Sequence, residues 1–425
     1  MSIAGSTPEG TGRVGTLTPE QTQSLKNLWK AFYEIQEKGT VTITPDPVPV
    51  PEPTPAPVAA STGWGGGWFG SAATTPAVPV VELPMTITLE EIGLTSAQLR
   101  QSFWNNVLSD NPDSLVLRFL RARKWHVGNG LTMLLKAFKW RVEQDVEDVK
   151  IFGDEELDQR YPKFMHQLRI GKFWIHGTDK NNSPVVYLNV HLHRAGDQDY
   201  KTLERLTIYL METGRLLVQA PVETVTLIFD LSQFGLANMD YNVVKLLISL
   251  FEQMYPEVLS SLILHNAPLV FWGAWKIIEG WLDPVVASKI KFTYTAQDLL
   301  DLVPAEHLPD TFQGAGLDKF QYKYLEPVPG ENDLMKDETT KAQLNKEWDA
   351  LCVQYDANTH EWASKNAGEG DAQVAQEREA IAKALHTQYY KMEPYIRARS
   401  QFHRKDANGR SVLQSGGSVA WSYNN

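Results

Sequence analysis

The sequence contains a single cysteine, Cys352. No disulfide can form within the chain, which fits a reducing compartment. Nowhere does it run to the roughly 18 uncharged apolar residues that a membrane-spanning helix needs. The nearest approach, Leu269 to Leu282, is short and carries Lys276 and Glu279. The opening MSIAGSTPEGTGRVG lacks an apolar core and a cleavage-site pattern, so no secretory leader is expected. Positive charge is also in deficit: 40 Lys and Arg face 51 Asp and Glu, for a net charge of −11 over 425 residues. That balance argues against a general nucleic-acid binder, which must offset phosphate charge. Contact with anionic lipid would need a local basic patch. These absences predict a cytoplasmic protein.

Catalytic signatures are missing as well. No P-loop, G-x-S-x-G elbow or paired-cysteine metal motif is present. Gly10, Gly12 and Gly15 spell G-x-G-x-x-G, but a dinucleotide site needs a strand before the motif and a helix opening on it. A polar tail with neither marks a chance match. His191 and His193 would share one face of a strand, which reads as a polar strand face and not as a ligand pair. No enzyme, cofactor or metal site is expected.

What the chain does have is sizeable apolar content, at 43%, and clear segmentation. Residues 1–39 read as a tail and a docking helix. Thr18, Pro19 and Gln21 form a capping box with proline at the first helical position. Leu25, Leu28, Trp29, Phe32 and Ile35 follow at helical spacing. Residues 40–87 read as a linker: seven prolines alternate from Pro45 to Pro57, and a Gly65–Gly67 run is flanked by Trp64, Trp68 and Phe69. Residues 88–150 read as a helical subdomain. Within 151–320, apolar runs at Pro184–Leu192, Val225–Leu231, Leu259–Leu264 and Lys289–Tyr294 alternate with helical stretches at Lys201–Val218, Tyr241–Tyr255 and Leu269–Leu282. Such alternation predicts an α/β unit with a mostly parallel sheet. Residues 321–425 read as a helical extension packed against the central unit, with stripes Leu344, Trp348, Leu351, Tyr355 and Ile381, Leu385, Gln388, Met392.

The tryptophan-rich helix after Pro268 is apolar at nearly every position, including Phe271, Trp272, Trp275, Ile278 and Trp281. A helix apolar on most sides is either a core helix or one that faces something other than water. The sharper expectation is a lid, with one face over an apolar cavity and the other at a membrane interface, where tryptophan is favoured. Asp283 and Pro284 then cap a short helix that delivers Lys289 to a strand, while Glu257 precedes Leu259. Both charges fall at strand beginnings beside the lid. They make either an exposed ion pair of little worth or a headgroup site, with the lysine on phosphate and the carboxylate on hydroxyls.

Several ordered motifs resemble one family. Leu117-Arg118-Phe-Leu-Arg121-Ala-Arg123-Lys124-Trp resembles the N-terminal helical motif of CRAL-TRIO proteins. Tyr255-Pro-Glu257, Asn266-Ala-Pro268 and Trp281 through Lys289-Ile resemble the core of that domain, in the manner of the yeast phosphatidylinositol/phosphatidylcholine transfer proteins. Phe229-Asp-Leu with Asn238-Met-Asp-Tyr resembles a fungal subgroup with long terminal extensions. The likeness spans roughly residues 90–320. It implies a mixed, mostly parallel sheet flooring an apolar lipid pocket.

The resemblance puts the inositol-headgroup residues on Arg123, Lys124, Asp179, Glu257 and Lys289. The family's threonine three before the lysine is Val286 here. The choline-headgroup positions fall on Ile175, Val186, Val225 and Leu227, all apolar. A choline headgroup buried there would lose its hydroxyl partners, which is costly. The implied ligands are therefore phosphatidylinositol and a second, more apolar lipid such as a sterol or isoprenoid. Transient contact with membranes or lipid droplets follows. A scaffold that reports lipid occupancy to a lipid kinase is the alternative, motivated by the proline-rich linker and the terminal extensions. Arg118 and Arg121 are as readily intradomain ion pairs as lipid contacts. Arg397, Arg399, Arg404 and Lys405 are expected on a solvated C-terminus.

Overall fold

A computed structural model describes residues 10–44, 84–314, 316–365 and 371–421. The proline alternation of 45–57 and the aromatics flanking the Gly65–Gly67 run lie outside the described residues. The residues bordering that stretch pair with each other: β1 (Thr40–Ile43) runs antiparallel to β2 (Met85–Thr88).

The N-terminal helix, Pro19–Lys38, starts and stops where its sequence dictates. The Thr18 hydroxyl accepts from Gln21 N at 3.2 Å, and the Gln21 side chain accepts from Thr18 N at 3.0 Å. Gly39 ends the helix in the left-handed region, at φ 74°. Its apolar stripe is buried, with Trp29 Nε1 donating to Asp113 at 2.8 Å. Around it pack helices Ser96–Val107, Pro112–Ala122 and Val127–Glu143. The two long C-terminal helices, Glu338–Ser364 and Asp371–Ile396, join this same core through Trp348, Tyr355, Leu385 and Met392. They therefore dock mainly on the N-terminal helices, where the sequence suggested the central α/β unit. The reason is chemical: Tyr355 and the Arg378 guanidinium meet Trp29 and Asp113 in one aromatic and ionic cluster.

The central sheet has the order β3 (Phe173–Thr178), β4 (Pro184–Asn189), β5 (Val225–Asp230), β6 (Leu259–His265), β7 (Ile290–Thr293). β3 is antiparallel to β4, and the remaining neighbours are parallel. The mixed, mostly parallel sheet is thus as expected, with β3 an additional edge strand. Register places Val186 beside Leu227, Leu227 beside Leu262 and Leu262 beside Ile290 on one face. The other face, carrying Val185, Tyr187, Ile228 and Ile263, packs against Leu299, Val303, Leu308 and Phe320.

Two elements depart from expectation. Val190–Leu192 is a 3-10 turn, so His191 and His193 do not share a strand face. The helix beginning at Tyr241 is α-helical only to Ser249 and continues as a π-helix over Leu250–Met254. Such segments concentrate at functional sites.

Candidate functional site: a polar mouth on an apolar chamber

Two cavities meet at the amino ends of β6 and β7. The first is an apolar chamber of about 160 Å³, floored by Leu227, Phe229, Leu262 and Leu264 and roofed by the helix Phe271–Glu279. Phe271, Trp275 and Ile278 of that roof line the chamber. Spacings of four and three put them on one face, as the lid reading requires. Trp272 and Trp281 do other work. Trp272 stacks on Phe292 at 4.9 Å. Trp281 meets Tyr241 edge-on at 5.6 Å and carries Lys245 Nζ 4.7 Å from its ring. They pin the lid's ends to β7 and to the Tyr241–Ser249 helix. On the outer side, Leu269 is 91% exposed, and Val270, Ile277 and nearby Leu236 are exposed as well.

The second cavity, about 820 Å³, is mixed in lining, more polar than the first, and gathers Arg123, Lys124, Glu257 and Lys289. Four of the five residues that the resemblance assigned to a headgroup thus come together from three separate parts of the chain. Each is placed by a local device. Lys124 and Trp125 are both left-handed, at φ 51° and 66°, turning the chain sharply after the Pro112–Ala122 helix. Glu257 is also left-handed, at φ 60°. Non-glycine residues held there store strain of order 1–3 kcal/mol, a cost that clusters at ligand sites. Asp283 caps the short helix Pro284–Ala287 by accepting from Val285 N at 2.7 Å. Lys289 follows directly, its carbonyl accepting from Leu262 N at 2.9 Å.

Asp179 does not join them. Its carboxylate closes the β3–β4 turn, accepting from Asn181 N at 2.8 Å, Ser183 N at 2.9 Å and the Thr226 hydroxyl at 2.8 Å. Thr226 lies on the sheet face opposite the chamber, so the carboxylate is turned away and its oxygens are engaged. Ile175, Val186 and Val225 sit on the chamber face but line neither cavity. Ile175 is covered by Leu216 and Leu217, and Val186 and Val225 pack with Met254 and Val218. Leu227 alone of the four apolar substitutions reaches the chamber.

The neighbouring arginines are held by ion pairs within the chain, although Arg121 also lines the mouth. Arg121 pairs with Glu223 at 2.8 Å and donates to the Gly12 carbonyl at 2.8 Å, tying the glycine-rich turn to the body. Arg118 pairs with Asp110 at 3.3 Å. Arg404 is buried between Asp154 and Glu331, and Arg397 is buried too, so neither is solvated.

Three residues line both cavities: Phe251, Leu259 and Val286. They form the wall between polar mouth and apolar chamber. Phe251 comes from the π-helical turn, which sequence periodicity does not reveal. Lys136 also lines the mouth. Its stripe, Asn129, Thr132, Met133 and Lys136, has the helical spacing that would have flagged it.

Among the described residues, no helix is long and apolar enough to cross a membrane. The chain matches the CRAL/TRIO N-terminal domain over residues 25–136 and the CRAL/TRIO domain over residues 168–314. It is 42% identical over 308 residues to a CRAL-TRIO domain-containing protein of Schizosaccharomyces pombe, covering 72% of this chain and 68% of that one. It is 37% identical over 319 residues to a phosphatidylinositol transfer protein of Eremothecium gossypii, covering 74% and 72%. The Sec14 cytosolic factor of S. pombe is 29% identical, covering 48% and 74%. With matched domains at both ends of the polar mouth and relatives of this closeness, the chain belongs to the CRAL-TRIO family.

Proposed function

We propose that the protein is a non-enzymatic cytoplasmic carrier that binds phosphatidylinositol and transfers it between membranes, alternating with a second, more apolar lipid. One observation carries this reading: the polar mouth with Arg123, Lys124, Glu257 and Lys289 shares Phe251, Leu259 and Val286 with the apolar chamber. A ligand with an anionic, hydroxyl-rich end and a hydrocarbon end matches that sequence of environments. The cations suit the phosphodiester and Glu257 suits ring hydroxyls. The likeness to a phosphatidylinositol transfer protein supports the same ligand.

The chamber's 160 Å³ lies below the roughly 300 Å³ at which ordinary ligand pockets begin. Loading acyl chains therefore requires the lid to swing outward. Its exposed Leu269, Val270 and Ile277 are suited to stay in a membrane while it does so. The apolar floor at Leu227 favours the apolar second lipid over a choline headgroup. The kinase-scaffold alternative rests largely on residues 45–83, outside the described residues, and no described contact favours it.

The test is transfer of labelled phosphatidylinositol between vesicles. Wild type transfers, and Lys289→Ala falls by about tenfold or more, the loss of one charge-assisted contact. Equal transfer by both removes the headgroup assignment.

A further inference from the structure

At the other end of the chamber lies a polar cluster that the phosphatidylinositol reading does not use. Lys172 immediately precedes β3, and although it lines the apolar chamber it is only 1% exposed. Its Nζ lies 3.1 Å from Gln198 Oε1 and 3.3 Å from His193 Nδ1. His193 also lines the chamber and is buried. Its Nε2 has no hydrogen-bond partner among the described residues: Asp240 Oδ2 is 3.4 Å away but poorly aligned. Asp240 Oδ1 caps the Tyr241–Ser249 helix, accepting from Asn242 N at 3.0 Å, and Oδ2 is the oxygen turned towards His193.

A donor count follows. An ammonium has three N–H groups, and Lys172 spends two, on Gln198 and on His193 Nδ1. With Nδ1 accepting, the neutral ring carries its proton on Nε2, a donor whose nearest acceptor is Asp240 Oδ2 at 3.4 Å. Burial pulls the Lys172 ammonium down to about 8, against Asp197 and Asp240, which pull it up. It therefore still carries its proton at neutral pH. A buried ammonium with one N–H left over on the wall of an apolar room is a costly arrangement unless a ligand supplies the acceptor.

The position says which ligand. Lys172 and His193 lie near the carboxyl ends of β4 and β5, whereas the mouth opens at the amino ends of β6 and β7. Strands of this length separate the two by roughly 15–20 Å. A diacyl lipid whose headgroup sits in the mouth would present methyl groups to Lys172. These donors must serve something else.

We propose that Lys172 and His193 form a second polar subsite, which receives the oxygen atom of a mostly hydrocarbon lipid seated oxygen-first in the chamber. The acceptor is a hydroxyl, carbonyl or carboxylate oxygen. This inference rests on the reading of the chamber as a lipid room and narrows the second ligand from a plain hydrocarbon to an oxygenated one.

The experiment uses the full chain stripped of lipid and two matched pairs of probes, cholesterol against cholestane and palmitic acid against hexadecane. In wild type the oxygenated member of at least one pair binds about tenfold or more tighter, the worth of one hydrogen bond to a charged donor. Lys172→Met erases the preference while keeping the hydrocarbon's affinity, which is also the control for folding. His193→Phe, removing the other donor, weakens the same preference and serves if the lysine variant does not fold. Equal wild-type affinity within both pairs overturns the subsite and leaves the chamber standing. A preference that survives Lys172→Met also overturns it. If no probe of either pair binds, the chamber itself fails as a lipid room and both readings fall.

Discussion

The cations of the C-terminal extension and those of the polar mouth obey opposite rules. Arg404 is surrounded: its guanidinium meets Asp154 Oδ2 at 2.7 Å, Glu331 Oε1 at 2.7 Å and the Leu325 carbonyl at 2.9 Å. Arg378 meets Asp113 and Tyr355. At the mouth, Arg123 donates among the described residues only to the adjacent Ala122 carbonyl, at 3.0 Å. Lys124, Lys136 and Lys289 have no ion pair among the described residues. Buried and paired charges hold the fold; Arg123, Lys124, Lys136 and Lys289 stand at the mouth without an ion pair among the described residues, although Glu252, Glu257 and Asp283 line the same cavity. The distinction lets structural and ligand-binding residues be separated by stability alone.

The largest effect should come from breaking the paired side. Arg404→Met leaves Asp154 and Glu331 without their cation in a buried setting, a loss of about 3–5 kcal/mol. A chemical-denaturation midpoint that does not fall would erase the contrast.

Acid should attack the same side next. Burial alone would raise the Glu393 carboxyl, but the His403 hydrogen bond, with the charges of His403, Arg399 and Arg397, overcomes it and holds the group at about 2. Its folded value lies below its unfolded one. The stabilisation is therefore fully present above pH 4.5 and is lost as pH falls from there towards 2. The shift is worth roughly 3 kcal/mol. Unfolding midpoints followed across that window should fall steeply in wild type and more shallowly in Glu393→Gln. Parallel curves would show that Glu393 contributes nothing to acid sensitivity.

On the unpaired side the sign changes. Lys289→Ala should leave the lipid-free protein's stability within about 0.5 kcal/mol of wild type, the range of surface changes, while phosphatidylinositol transfer falls. If thermal unfolding shows a loss as large as that of Arg404→Met, Lys289 belongs with the structural cations.

The two classes were not equally legible in the sequence. β4, β5, β6 and β7 announce themselves as apolar runs, and the mouth residues stand in ordered motifs whose spacing survives into the fold. β3 hides because His176, Gly177 and Thr178 dilute its apolar residues. The π-helical turn cannot be read, since Leu250–Met254 continues the preceding helix's apolar pattern and differs only in backbone winding. Asp179 shows the limit of motif transfer: sequence gives its position at a turn but not which face of the sheet its carboxylate takes. Lys172, Gln198 and His193 meet only because the 3-10 turn after β4 folds the chain back, a tertiary event with no periodic signature.

The smallest effect tests the wall between the two environments. Val286 lines both cavities, three residues before Lys289, and is half-buried. Val286→Thr exchanges a methyl for a hydroxyl of nearly the same size. Facing the mouth, that hydroxyl adds one hydrogen bond to an inositol ring, worth about 0.5–1.5 kcal/mol, or a few-fold in affinity. Facing the chamber, it places an unsatisfied polar atom among Leu259 and Phe251 and weakens binding of the apolar lipid. The variant should therefore shift the competition between the two ligands towards phosphatidylinositol without changing the lipid-free unfolding midpoint. Competition measured with both lipids present reads this directly, and an unchanged ratio would mean that Val286 separates the two rooms without contacting what either holds.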